Sequence, residues 1–200
     1  MNQPARDQLQ IAQAARTIAL QMLVERGRGA VLVGVARVDA ALERFLQAGL
    51  LPATGSTDTF FQPDRPLGSF GARITLAARM GLIDQPVEQS LQTLRRVRNG
   101  FAHSTTTATL ADPAHADRLA QAFAAARSNP LWPPLERILQ EKVGADGTPL
   151  DPSLRDYILL ITILVAFLEA AAQQLAPQPP AVVMGFGGIN SPRSEPDEHT

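Results

Sequence analysis

The chain has no cysteine, a single lysine (Lys142) and three histidines. Without thiols there is neither a disulfide nor a thiolate zinc site. The histidines, His103, His115 and His199, are scattered, so no histidine metal cluster and no cofactor is expected. Neither sign of charge is in excess. Lys+Arg 18 against Asp+Glu 19 leaves a net charge of −1, which excludes a broadly cationic nucleic-acid binder, because phosphate binding without a basic patch has no driving force. Long apolar runs are scarce as well. The strongest, Tyr157–Leu168, is about a dozen residues, against the ~20 that a bilayer crossing needs. It stops at Glu169 and has no flanking Lys/Arg cluster, so it reads as a core helix. The first twenty residues hold no continuous apolar stretch with a cleavage site, so no signal peptide is expected and the reading is cytoplasmic. What remains is 200 residues, 45% hydrophobic: one domain, or one domain with a tail, large enough to bury a core.

Strand signals are nearly absent, and the periodicity is helical almost throughout. The pattern predicts helices over Ala5 to about Arg26, about Gly29 to Ala48, and from Gly68-Ser69 to near Gly81. Further helices are expected from about Pro86 to His103 and from Asp112-Pro113 to near Asn129-Pro130. The last two run over Trp132–Val143 and from Asp151-Pro152 to about Leu175. Both Asp-Pro pairs place a capping side chain before a proline at the first helical position. Leu51–Pro66 reads as a loop. The expected fold is all-α, a single bundle of about seven helices over 1–175. Residues 176–200, with five Pro, three Gly and an acidic end, read as a disordered tail.

Four motif fragments lead nowhere. Gly27-Arg-Gly29 with Gly34 has the wrong spacing for a phosphate loop and no strand before it. Gly68-Ser69-Phe70-Gly71 lacks the spacing of a nucleophile elbow. Asp112 and His115 are explained by a helix cap beside a solvated histidine. The junction at Gly81–Asp84 is a poor helix-turn-helix, without polar base-reading side chains.

The informative block is Leu94-Arg95-Arg96-Val97-Arg98-Asn99-Gly100-Phe101-Ala102-His103. From Arg65 to His103 there are six arginines against Asp84 and Glu88, a local positive surface that the whole-chain charge conceals. On a wheel of ~100° per residue, Val87, Leu91, Leu94, Val97 and Phe101 share one arc, and Arg98 falls inside it. Arg95, Asn99 and His103 form a polar line elsewhere, with Arg96 adjacent. A guanidinium aimed at a core is costly unless paired, so Arg98 requires an acidic or carbonyl partner, or a lined cleft to open into. Asp39, at the edge of the stripe Val31, Val35, Val38, Leu42, Phe45, is the candidate for an Asp39–Arg98 salt bridge, either a lock on the bundle or part of a functional site.

Pro66-Leu-Gly-Ser-Phe-Gly-Ala-Arg-Ile-Thr-Leu-Ala-Ala-Arg-Met-Gly-Leu-Ile83, followed by Leu94-Arg-Arg-Val-Arg-Asn-Gly-Phe-Ala-His-Ser104, resembles the mannitol repressor family of bacterial regulators. Val38-Asp39-Ala-Ala-Leu-Glu43 fits its preceding helix, and the resemblance extends over about 28–170. Arg98-Asn99-x-x-x-His103 is also similar to the signature of HEPN domains, helical bundles that include metal-independent ribonucleases. The first resemblance implies an all-helical, non-enzymatic transcriptional regulator that represses through partner contacts and has no DNA-reading module. Gly100 departs from the acidic or polar residue expected there, and a mid-helix glycine costs ~1 kcal/mol relative to Ala, so a bend or an end of the helix is expected at that point.

Two functions follow, with a purely structural bundle or a nucleotide-binding module as the remaining option. In the first, Arg73, Arg79, Arg95 and Arg96 bind a protein partner, a regulator or the transcription machinery, through bidentate pairing with carboxylates. A homodimer is compatible with this, and direct DNA binding and membrane association are not expected. In the second, RNA is cleaved without metal. His103 takes the 2′-hydroxyl proton, Arg98 stabilises the charge on phosphorus, and Asn99 orients the phosphate. Five residues of straight helix turn Arg98 and His103 about 140° apart, so cleavage needs a bend at Gly100 or a second copy of the chain.

Overall fold

A computed structural model describes residues 3–25, 27–53, 59–103, 109–142, 148–175, 184–185 and 188–189. Among these lie seven helices: α1 (Gln3–Met22), α2 (Gly27–Gly49), α3 (Phe70–Arg79), α4 (Gln85–His103), α5 (Pro113–Arg127), α6 (Trp132–Gln140) and α7 (Pro152–Gln174). The all-α expectation holds. Of the segment expected to be a disordered tail, only four residues are described. Met184–Gly185 pairs antiparallel with Gly188–Ile189, two short strands that the helical reading did not anticipate; the rest of 176–200 lies outside the described residues.

The most apolar sequence becomes the centre. On α7 every residue from Asp156 to Ala166 is buried, and α1, α2, α5 and α6 pack around it. No helix among the described residues is long and apolar enough to cross a membrane. Asp151 starts α7 as read: its side chain accepts from the Leu154 backbone N–H at 3.0 Å, with Pro152 behind it. Gly34 sets how closely α2 approaches. A Cβ there would lie 2.8 Å from Tyr157 Oη and 3.1 Å from Ile161 Cγ1. Tyr157 is fully buried and donates to the Val31 carbonyl at 2.9 Å.

Helix ends follow local chemistry. Gly27, with φ +49, turns the chain from α1 into α2 two residues earlier than expected. Gly81, with φ +69, ends α3. There Leu82 N–H donates to Ala77 O and Gly81 N–H to Ala78 O, both at 3.0 Å, the Schellman pattern that a left-handed residue after a helix produces. α6 stops at Gln140, short of the expected Val143, which lies outside the described residues.

α4 does not end at Gly100; it continues to His103. The glycine serves packing instead. A Cβ on it would lie 3.1 Å from His115 Cε1, and the His115 ring stacks on Phe101 with centroids 4.7 Å apart. His115 is thus half-buried rather than solvated, and its Nδ1 is buried without a hydrogen-bond partner among the described residues.

Candidate functional site

Two arginine clusters bear on the sequence reading, and the first departs from it. The first is the interior one. The cation buried in the bundle is Arg73, expected on a binding surface, with its side chain 8% exposed. Its Nη1 donates to Asp39 Oδ1 at 2.6 Å and its Nη2 approaches Glu43 Oε2 at 2.8 Å. Its Nε donates to the Leu67 carbonyl at 2.8 Å and Nη2 also to the Phe61 carbonyl at 3.1 Å. The guanidinium lies 5.8 Å from the Phe61 ring centroid. One side chain thereby ties α2, α3 and the 59–69 loop together, with four of its five N–H donors committed inside the fold.

The expected Asp39–Arg98 bridge is therefore not formed: Asp39 is held by Arg73. Arg98 is exposed and donates from Nη1 to its neighbour Asn99 Oδ1 at 3.2 Å. A wheel gives a direction about the helix axis and says nothing about what stands there. Leu91 and Arg98 share that direction, but Leu91 meets the core, whereas Arg98 meets a cleft. The alternative, that Arg98 opens into a lined cleft, is what the chain adopts.

That cleft is the second cluster. It encloses about 550 Å³ between α2, α4 and the start of α3. α2 contributes Arg28, Leu32, Val35, Ala36 and Asp39. Gly68, Ser69 and Phe70 come from the entry to α3, and Arg95, Arg98, Asn99 and Ala102 from α4. Each polar wall has a local cause. Arg28 Nη2 donates to the Ala102 carbonyl at 2.9 Å, capping one of the last carbonyls of α4, which have no partner within the helix. Arg95 Nε donates to Gln92 Oε1 one turn back at 3.0 Å. Ser69 is the N-cap of α3, accepting from Ala72 N–H at 3.2 Å.

Of the line Arg95, Asn99, His103, the first two face this cleft with Arg98, and His103 does not. His103 stands exposed in the last turn of α4. Arg79 and Arg96 are exposed and lie outside the cleft. Arg28 was missed by sequence reading; its only signal was a place in Gly27-Arg-Gly29, set aside because the glycine spacing was wrong. Also missed was the cluster around buried Asp156, which accepts from Arg127 Nη2 at 2.6 Å and Arg155 Nη2 at 2.8 Å, joining α5 to α7. Among the described residues no group of His, Asp and Glu could hold a metal ion. No family model matches the chain, and neither does any curated protein or solved structure.

Proposed function

We propose that this chain is a non-enzymatic transcriptional regulator, of the kind that the resemblance to the mannitol repressor family implies. It acts in the cytoplasm through a protein partner and has no DNA-reading module of its own. The observation that supports this is the unbroken course of α4 through Gly100. On a continuous helix Arg98 and His103 point about 140° apart, and of the two only Arg98 lines the cleft. A general base must come within hydrogen-bond reach of the proton it removes, and a single chain does not assemble that pair. Recognition by guanidinium is what the α3–α4 surface offers. With Arg73 committed to the interior, exposed Arg79 and Arg96 are the contacts for an acidic partner surface. Transcript profiling tests this: the double variant Arg79→Glu/Arg96→Glu should release the regulated transcripts without changing the melting temperature. Unaltered transcripts in the folded variant overturn it.

A second reading, metal-independent RNA cleavage, is favoured by Arg98 and Asn99 meeting at 3.2 Å and sharing one cleft. It needs a second copy of the chain to deliver His103. Incubation of the full chain with mixed RNA in EDTA decides between them. Turnover that is lost in Arg98→Ala and in His103→Ala establishes cleavage, and no turnover by the wild type removes it.

A further inference from the structure

We infer that the cavity between α4, α5 and α7 binds a small hydrophobic amine, an apolar body carrying a single ammonium group. The cavity encloses about 430 Å³, within the ~300–1,000 Å³ of small-molecule sites. Its floor is α7, where Leu160, Ile163 and Leu164 share one face at i, i+3 and i+4. Pro86 and Val87, in the first turn of α4, form one wall; Ala125, Ala126 and Pro130, at the end of α5, form the other. Phe167 follows Ile163 at i+4 on the same face of α7 and is 42% exposed, so the apolar surface runs on past the floor. A ligand with an apolar body gains by covering such surface.

The polar groups of the lining select the head. Ser90 Oγ donates to the Pro86 carbonyl at 2.8 Å and Ser128 Oγ to the Ala125 carbonyl at 2.7 Å. Asn129 Oδ1 accepts from the Leu131 N–H at 2.9 Å. With these groups engaged by the backbone, a ligand rich in hydroxyls would bury them unpaired, which is costly. Charge decides the sign of the head. Asp84 is the one ionisable residue of the lining, exposed and in no ion pair among the described residues. Its Oδ1 accepts from the Val87 N–H at 2.9 Å, and Glu88 places a second carboxylate in the first turn of α4. The N-terminal end of that helix, which alone would attract an anion, is thus already answered by the protein's own carboxylates. The opposite wall is the C-terminal end of α5, whose carbonyls carry partial negative charge, and the Arg127 guanidinium of that turn is bound to Asp156 at 2.6 Å. An entering anion meets carboxylates on one side and helix carbonyls on the other; an ammonium pairs with the second oxygen of Asp84. Binding here is independent of the regulatory reading, since it is measured on the chain alone, whichever way the transcript experiment falls.

The test is calorimetric titration of the full chain at neutral pH with phenethylamine, phenethyl alcohol, hydrocinnamate and ethylamine. Phenethylamine should bind saturably at one site and more tightly than the alcohol. Hydrocinnamate should bind more weakly than the alcohol, and ethylamine, which lacks the apolar body, should not saturate. Asp84→Asn should weaken phenethylamine about three- to fivefold, the scale of a solvent-exposed ion pair, and leave the alcohol unchanged. Asparagine caps a helix as well as aspartate does, so that variant folds, which an unchanged melting temperature verifies. Asp117→Asn, exposed on α5, should bind as the wild type does. Methyl NMR spectra locate the site: phenethylamine should shift the signals of Leu160, Ile163 and Leu164. Failure to saturate by about 10 mM, binding of hydrocinnamate as tight as that of the amine, undiminished binding by Asp84→Asn, or shifts confined to other methyl groups overturns the proposal.

Discussion

Arg73 Nη1 and Asp39 Oδ1 meet at 2.6 Å across the α2–α3 contact, the arginine side chain 8% exposed and the aspartate 30%. The asymmetry determines what each residue contributes. Removing Arg73 strands two carboxylates and two loop carbonyls; removing the Asp39 charge leaves Glu43 at 2.8 Å to hold the guanidinium.

Arg73→Ala should therefore destabilise the fold by about 3 kcal/mol, the low end for breaking a buried pair, because both carboxylates are about one-third solvated. Asp39→Asn should cost about 1 kcal/mol. Arg73→Lys should fall between them, keeping the charge without the planar fork. Urea unfolding measures all three, and a loss for Asp39→Asn as large as for Arg73→Ala contradicts the asymmetry.

Gly34→Ala should be destabilising although alanine is the better helix former. Gaining ~1 kcal/mol of helix propensity is set against ~1–3 kcal/mol of overpacking, since the new Cβ would lie 2.8 Å from Tyr157 Oη and 3.0 Å from its Cε1. Removing the hydroxyl relieves the closer contact, so the penalty should shrink in a Tyr157→Phe background. A double-mutant cycle reads that coupling, and additive effects would show that the α2–α7 contact does not depend on the Tyr157 hydroxyl.

Tyr157 also sets an alkaline limit. Burial pushes its hydroxyl above the ordinary value of 10.0, because the phenolate cannot be solvated there. The folded chain holds this proton more tightly than the unfolded one. The contribution is complete below pH 10.0 and is lost as pH rises above it, with a slope of about 1.4 kcal/mol per pH unit. Tyr157→Phe should remove that component from stability measured between pH 9 and about 11.

At the acid end the corresponding group is Asp112. The Thr109 backbone N–H at 2.9 Å and then its hydroxyl, also at 2.9 Å, hold the carboxylate below its usual 3.8, with His115 adding a smaller effect in the same direction. A lowered carboxylate stabilises above its unfolded value, and that contribution fades as pH falls through the folded one. Asp112→Asn should flatten the stability profile below pH 3.8 by lowering stability at neutral pH, where the charged contribution is present in full, and leaving the acid end nearly unaffected. An unchanged slope below pH 3.8 in the variant would show that the Thr109 bonds carry no charge dependence.

The fold class was legible because its signals are local. Apolar periodicity, the Asp151 cap, the prolines that open α5 and α7 and a glycine after α3 act within a few residues of themselves, and the backbone answers to them wherever the helix is later packed; the Asp112 carboxylate, expected to cap α5, bonds Thr109 instead. Leu91, Leu94, Val97 and Phe101 are all buried as their spacing requires. The amino-acid order also fixed which segments carry arginine and that α4 presents Arg95, Arg98 and Asn99 within reach of one another.

Only the packing of α2, α3 and the 59–69 loop decided which arginine goes inside. The wheel put Arg98 toward the core, and Arg73 was expected on a binding surface; the difference is that Asp39, Glu43 and two loop carbonyls converge on Arg73. Desolvating a guanidinium is tolerated only where partners from several elements already surround it, and that convergence is long-range, invisible to spacing along one helix. Arg28 joined the cleft for the same reason: its companions lie some seventy residues away in sequence, as its bond to Ala102 shows.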